Sequence, residues 1–425
     1  MRDIFLEELK NVERWEKAIN IGVEKGINKG ELIKLCTPKV RAALYNAIAN
    51  GKYKISPPHQ AEIPKENGDM RIVYVNENID RIFLSIVNDM LFEFCGEMVH
   101  SSCKSYQTGI GCGKIVQEVA KTITKIKNGD GGVKADLTKY FDTVKIEYID
   151  DAFDKVEEII GCKSKVIDVL RAYYHADWCF DVDGNLINHY QSLKQGCAVA
   201  SFLSDVVLKH IDEILSRIPG YYVRYSDDLL YVGPYSGDVL EMLAFELDKM
   251  KLTLNPKKVE MLSSNRWFKF LGFNIKGNQI TLSKSRVKKF QKEIESRSIK
   301  CRDITAKKAT NKINRYLYVG NGTYSWATQV LPIINVQKDI DELNKFVMDC
   351  IRACETGKKK IGGIGSSMNR PDYTITRGTG RNVSENERKT KKELSESEKI
   401  HIESVFGKGI HWDLENSNII ELEGA

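Results

Sequence analysis

Two adjacent carboxylates, Asp227 and Asp228, sit between two short runs of β-forming residues. Tyr221-Tyr222-Val223-Arg224-Tyr225 precedes them and Leu229-Leu230-Tyr231-Val232 follows. Ser226 and the aspartates supply turn chemistry, so Tyr221–Gly233 predicts a β-hairpin with carboxylates at its tip. Neighbouring carboxylates repel, and one tends to protonate unless a cation lies beside them. A hard divalent ion with oxygen ligands resolves that repulsion. The alternative is an ordinary acidic turn. A third carboxylate, Asp136, ends the apolar strand Val133-Lys134-Ala135-Asp136, a plausible place for a metal ligand although lone aspartates at strand ends usually only cap.

Other residues with chemical potential flank these. Lys65 and Arg71 stand on either side of Asn67-Gly68, a strong hairpin signal that would bring the two cations together. Such a pair could clamp a triphosphate, with Arg offering the fork geometry that phosphate favours; a surface hairpin with ordinary charges is the competing reading. Gln195-Gly196 opens a stretch expected to be helical to about Arg217, and the glycine lets backbone approach a ligand closely. Gly109-x-x-x-Gly113-Lys114-Ile115 superficially resembles a phosphate loop. Its spacing is wrong, the Ser/Thr is missing, and it does not lie in a βαβ unit, which excludes an NTPase reading.

The elements that must position these residues alternate between helical and strand periodicity. Residues 1–50 read as helices, ended by Ser56-Pro57-Pro58, and Asn78–Phe94 reads as an amphipathic helix. Further helices are expected over Ile115–Lys127, most of Val144–Tyr174, Gly237–Met250 and Ile333–Cys354. Trp178–Val182 and Leu186-Ile187 flank Asp183-Gly184-Asn185 as a hairpin. Leu252–Lys258 is expected to be a strand ending in a basic turn, and Trp267–Phe273 a strand with an aromatic-glycine end.

The 425 residues allow two or three domains. No apolar run approaches the ~20 residues that span a bilayer. The charged N-terminus has no signal-peptide core, and ten cysteines without a C-x-x-C pair fit a reducing compartment, with the cytoplasm as the expected location. The net charge of +6 is unevenly spread: Ser283–Tyr316 carries twelve Lys/Arg against three acids, so the remainder is slightly acidic. That block points to a polyanion such as nucleic acid, with a solvated helix face as the alternative. From Glu355 onward the composition predicts a partly disordered or partner-dependent tail.

The order of these features resembles the palm of reverse transcriptases over about residues 60–280. It runs from Asp136 on a strand to Gln195-Gly196, then Tyr225-Ser226-Asp227-Asp228, then Phe270-Leu271-Gly272-Phe273. The resemblance implies an α+β fold, a right-hand polymerase. Expected divisions are an N-terminal helical extension (1–60), fingers (61–135), a palm with an antiparallel sheet and helices on one face (136–280), a helical basic thumb (281–354) and the tail (355–425). It implies two Mg²⁺ ions, or Mn²⁺, bound by Asp136 and Asp227 with Asp228 supporting and the Leu137 carbonyl adding a ligand. Lys65 and Arg71 resemble fingers residues. Phe141 matches the aromatic under the sugar that selects deoxynucleotides. Gln195 and Gly196 resemble contacts to the nascent base pair, and Lys257 or Lys258 the lysine beside the leaving pyrophosphate. Tyr225, Ser226 and the primer-grip-like Phe270, Leu271 and Gly272 would place primer and template. Arg286, Lys288 and Lys289 of the basic block would track the duplex.

Ala198 and Ser201 stand where group II intron and retron enzymes usually carry prolines, and Ser226 fills the variable site of the YxDD motif. No RNase H, integrase, maturase or HNH region is recognisable. The compact form looks like the bacterial defence-associated reverse transcriptases of the unknown groups, which include abortive-infection enzymes, and most resembles the type 2 group. The resemblance thus implies a dedicated non-coding RNA template, dNTP substrates, a DNA product and a role in antiphage defence, with no membrane partner. Alternatives are protein-primed or untemplated DNA synthesis and, of another class, a non-catalytic RNA-binding scaffold.

Overall fold

The computed structural model describes residues 2–65, 69–107, 109–126, 131–189, 192–320 and 325–356. The Asn67-Gly68 turn and the tail from 357 onward lie outside them. Four helices open the chain: α1 (Ile4–Glu8), α2 (Val12–Glu24), α3 (Lys29–Leu35) and α4 (Pro38–Ala49). Then come β1 (His59–Pro64), β2 (Met70–Val75), α5 (Asn78–Phe94) and α6 (Cys112–Ile123). The middle of the chain holds β3 (Gly132–Asp136), α7 (Tyr140–Thr143), α8 (Ile146–Ile160), α9 (Lys165–His175), β4 (Trp178–Phe180) and β5 (Leu186–Asn188). It continues with α10 (Ala200–Val207), α11 (Lys209–Leu215), β6 (Tyr221–Tyr225), β7 (Asp228–Val232), α12 (Ser236–Lys249) and β8 (Glu260–Leu262). The last elements are β9 (Phe268–Phe270), β10 (Phe273–Lys276), β11 (Gln279–Leu282), α13 (Lys284–Arg297), α14 (Ala306–Asn314), α15 (Trp326–Gln329) and α16 (Gln337–Thr356).

The chain divides into two compact units: Met1–Ile110 with Ile126–Leu262, and Gly111–Lys125 with the chain from Ser263 on. In the first unit, one antiparallel sheet has the order β6-β7-β3-β8, and α12 packs on β3 and β7. Leu229, Tyr231, Val133 and Ala135 meet Val239, Leu243 and Leu247 of that helix in the core. The same core continues through α5, α8, α9 and α10, where Phe83, Val87, Phe153, Leu170 and Phe202 are fully buried. Burial of side chains this size stabilises by roughly 1.5–3 kcal/mol each. Local signals set the breaks between helices. Gly161 takes a left-handed φ of 71° to end α8, and the Ser164 hydroxyl accepts from Val166 and Ile167 N–H to start α9.

A second sheet of the first unit, β2-β1-β4-β5, joins two hairpins through one parallel contact, His59 beside Phe180, whose rings stack at 4.5 Å. In the second unit β11-β10-β9 form a sheet, and Asn335 ties its side chain and N–H to Ile280 of β11. The expected helix from Ile333 begins only at Gln337, after a turn through Ile333 and the Asn335 tie.

Three other expectations need correction. The helix expected from Gln195 starts only at Ala200, because Lys194 (φ 54°) and Gly196 (φ 110°) hold a turn in front of it, and it is interrupted at Leu208. Leu252–Lys258 is not a strand. Leu254 makes one bridge to Leu137, and Pro256–Lys258 is a 3₁₀ turn whose Lys257 N–H is capped by Asn255. Trp267–Phe273 is a hairpin: Phe270 pairs with Phe273, and Leu271 and Gly272 between them have φ of 47° and 80°. Positive φ at both central residues matches a type I′ turn.

Candidate active site

The β6–β7 hairpin forms as expected, with Tyr225 paired to Asp228 across a two-residue turn of Ser226 and Asp227. Ser226 has φ of 58°, a strained conformation for a residue with a side chain. Buried polar groups hold it there. Its N–H donates to Ser105 Oγ at 2.9 Å, and its carbonyl accepts from Arg224 Nη1 at 2.9 Å. Arg224 is wholly buried and binds Asp212 through Nε at 2.8 Å and Nη2 at 2.6 Å. Burial opposes its charge, but Asp212 more than compensates, and its pKa rises well above the ordinary value. Ser105 donates to Asp205 Oδ1 at 2.6 Å. Burial pushes the Asp205 carboxyl up to about 6, although Arg224 works to lower it. Ser105, Asp205, Asp212 and Arg224 were missed as site residues. The seven-residue spacing of Asp205 and Asp212, two helical turns, was the available signal.

Asp136 ends β3 directly opposite Asp228 of β7, so the three carboxylates share one end of the sheet. Burial raises the pKa of Asp227, and the charge of Asp136 adds to it. Asp228 is raised to about 6 by burial, then by Asp227 and Asp136. Asp136 is 4% exposed; its Oδ2 accepts from Lys258 Nζ at 2.7 Å, while Oδ1 is buried without a partner. An orphaned carboxylate oxygen beside two mutually repelling acids fits a hard divalent cation. Among the described residues, no three His, Cys, Asp or Glu side chains are gathered closely enough to hold an ion as they stand. Of the two lysines considered, the structure brings Lys258 to the carboxylates, while Lys257 is exposed on its 3₁₀ turn. Leu137 is buried and fixed by its bridge to Leu254.

A cleft of about 830 Å³ is lined by Phe141, Gln195, Gly196 and Tyr106 among others. Phe141 packs edge-on against Tyr140, whose hydroxyl donates to the Ser204 carbonyl, and the Phe141 carbonyl accepts from Ser192. The Gln195-Gly196 turn is fastened from both sides. Tyr74 N–H donates to the Gln195 carbonyl at 2.7 Å, and buried Lys194 donates to the Tyr173 and Ala176 carbonyls at 2.9 and 3.0 Å. Burial lowers the Lys194 pKa to about 8. This lysine is another positioning residue that the sequence reading missed.

Lys65 and Arg71 are exposed. Arg71 pairs with Ile63, and Lys65 N–H donates to Asp69 O, so both cations lie diagonally on one face of the β1–β2 ribbon. The other expected contacts belong to the second unit. Phe270 is buried at the end of β9, and Leu271-Gly272 form the turn to β10. Arg286 lies over the rings of Phe273 (4.5 Å) and Trp326 (6.0 Å), while Lys288 and Lys289 are exposed on α13.

The family model for reverse transcriptase (RNA-dependent DNA polymerase) matches residues 63–275, just over half of the chain. The chain belongs to the reverse transcriptase family. It is accordingly an RNA-directed DNA polymerase, a nucleotidyltransferase with the α+β right-hand fold, of a family that uses divalent metal ions. Among solved structures it is similar to telomerase from Candida albicans in complex with a fragment of telomeric RNA, at 11% identity and a TM-score of 0.46, covering 91% of this chain and 68% of that one. Apo telomerase from Candida tropicalis is similar at 14% identity and a TM-score of 0.40, covering 56% of this chain and 59% of that one. No curated protein matches the reverse transcriptase chain. Among its described residues no helix is long and apolar enough to cross a membrane.

Proposed function

We propose that this reverse transcriptase copies a dedicated non-coding RNA into DNA from dNTPs and acts in bacterial antiphage defence in the cytoplasm. The observation that carries the catalytic part is the meeting of Asp136 and Asp228 across β3–β7 with Asp227 on the adjoining turn. Asp136, Asp227 and Asp228 would hold two Mg²⁺, or Mn²⁺, with the Leu137 carbonyl as a further ligand. Bound there, the ions would lower the pKa of the primer 3′-hydroxyl and offset charge on the triphosphate. The chain's own residues would do the positioning. Phe141 would pack under the deoxyribose, Gln195-Gly196 would meet the nascent base pair, and Lys65 and Arg71 would bind the triphosphate. Lys258, already beside Asp136, would neutralise charge near the leaving group.

The regional assignment belongs to the same proposal: extension 1–60, fingers 61–135, palm 136–280, thumb 281–354 and tail 355–425. Tyr225, Ser226 and Phe270–Gly272 would place the primer, and Arg286, Lys288 and Lys289 the duplex. The defence role and the dedicated RNA rest on the compact palm with divergent flanks and on the basic block at 283–316. The test is to purify the protein from cells challenged with phage and sequence the RNA and DNA that come with it, beside an Asp227→Ala variant. One recurring RNA and its complementary DNA, absent from the variant, is the expected result. Protein-linked DNA with no RNA counterpart would replace this reading with protein-primed, untemplated synthesis.

A further inference from the structure

The cleft beside Gln195-Gly196 has a side recess of about 80 Å³, and the two spaces share Ile21, Lys25, Ser85, Gly196 and Ala198 in their walls. Lys25 is the C-terminal cap of α2, in the N-terminal helices, and Arg81 of α5 lines the recess. Neither cation has an ion-pair partner among the described residues; Arg81 makes only a long 3.5 Å hydrogen bond to Asn78 Oδ1. Among the described residues lining the two spaces, the only carboxylate is Asp89. Its charge is already taken by Arg14 at 3.3 Å and by Lys17.

The end of α2 alone accounts for a lysine at position 25, because a helix C-terminus favours a cation. Nothing comparable accounts for Arg81. It lies in the first turn of a 17-residue helix, the end where the helix dipole favours negative charge. Two unpaired cations therefore converge on a cavity with a helix N-terminal turn, an arrangement that attracts an anion. Burial lowers the pKa of both, and the charge of Arg81 further lowers that of Lys25, as expected where like charges await a counter-ion.

We propose that Lys25 and Arg81 form a phosphate site that holds the template strand where it approaches the Gln195-Gly196 turn. The assignment rests on the polymerase reading above. It gives the N-terminal helices a direct part in substrate binding, which no motif in 1–60 announced. The ligand chemistry is a phosphate, and it has two possible sources, a template phosphodiester or the triphosphate of the incoming nucleotide. Lys65 and Arg71 on the β1–β2 ribbon are the proposed triphosphate ligands, which leaves the recess to the template.

The test measures binding of a labelled RNA template–DNA primer with a single-stranded 5′ template overhang to the full chain, without dNTPs, between about 50 and 300 mM KCl. Lys25→Gln, Arg81→Gln and the double variant are compared with the parent, together with Arg81→Lys and a thermal-unfolding control. Each neutral substitution should weaken binding about fivefold and reduce the salt slope by about one. Arg81→Lys should recover most of the loss, which a purely structural defect would not. Unchanged affinity and slope in the double variant would overturn the site. Unchanged affinity with a raised KM for dNTP would assign the phosphate to the nucleotide and overturn the template reading. Primer extension by the parent protein is scored separately: its absence would count against polymerase function, while the binding comparison still decides the phosphate site.

Discussion

Asp136, the last residue of β3, stands directly across the β3–β7 ladder from Asp228, the first residue of β7. Like charges opposite each other in a sheet destabilise it, and here burial adds to the repulsion felt by Asp228. Asp228→Asn should therefore unfold at the same temperature as the parent, or higher, in EDTA. Adding Mg²⁺ should raise the midpoint of the parent, since a ligand that binds only the folded state stabilises it, and should raise that of the variant less. Asp227→Asn should reduce primer extension by about a thousandfold or more, roughly 4 kcal/mol of transition-state stabilisation. Thermal shift with and without the metal, beside extension assays, checks both outcomes.

The Arg224 cluster makes a prediction with an opposite sign from the usual buried ion pair. Arg224 is satisfied by Asp212, and Asp205 is a second buried carboxylate with one oxygen, Oδ2, unpartnered. Its folded pKa of about 6 lies above the ordinary carboxylate value. Between those two values the native state binds more protons than the unfolded chain, so this group lowers stability as pH rises through that window. Asp205→Asn should then be more stable than the parent at pH 7.5, by on the order of 1–3 kcal/mol, with the advantage fading toward pH 4. Arg224→Met should instead cost about 3–5 kcal/mol, because it strands the Asp212 charge. Urea unfolding at pH 4, 5.5 and 7.5 separates the two.

Sequence legibility followed distance along the chain. The β6–β7 hairpin was readable because strand residues and turn residues alternate within thirteen positions. The bounds of α5 were readable from its periodicity. Ser105, Asp205, Asp212 and Arg224 act together only after folding brings the first to within hydrogen-bond reach of a turn 121 residues later. The spacing of Asp205 and Asp212 is the one local pattern among them, and none marks Ser105 or Arg224. Leu271-Gly272 failed as a turn signal for a different reason: leucine rarely adopts positive φ, and the aromatic run around it reads as one strand. The choice between Lys257 and Lys258 turned on a 3₁₀ turn that periodicity does not predict.

Phe141 offers a test of nucleotide choice. It lines the cleft with Gln195 and Gly196, and its ring is braced by Tyr140 at 5.5 Å. If its ring closes the space beside the sugar 2′ position, Phe141→Ala should raise the efficiency of ribonucleotide incorporation relative to deoxynucleotide by roughly 10- to 100-fold, or about 1.4–2.7 kcal/mol. Single-nucleotide incorporation with each NTP and dNTP pair reads this directly. An unchanged ratio would remove Phe141 from sugar selection.

Gly196 is the position where one added methyl group should do most harm. A Cβ there would lie 2.7 Å from the Tyr74 carbonyl oxygen and 3.1 Å from its nitrogen, and both are backbone atoms that cannot turn aside. The φ of 110° adds strain of about 1–3 kcal/mol for any residue with a side chain. Relief would require the turn to move away from β2, stretching the hydrogen bond from Tyr74 N–H to the Gln195 carbonyl. Gly196→Ala should accordingly lose at least about 2 kcal/mol, a fall in Tm of roughly 4–8 °C, and should raise KM for dNTP as Gln195 shifts. Gly184→Ala supplies the control. Gly184 also has positive φ, 85°, in the β4–β5 turn, but a Cβ there meets nothing within 4 Å. That variant should show the strain alone, with a smaller fall in Tm and unchanged KM. Equal effects of the two substitutions on KM would mean that the contact with Tyr74 does not position the Gln195 turn.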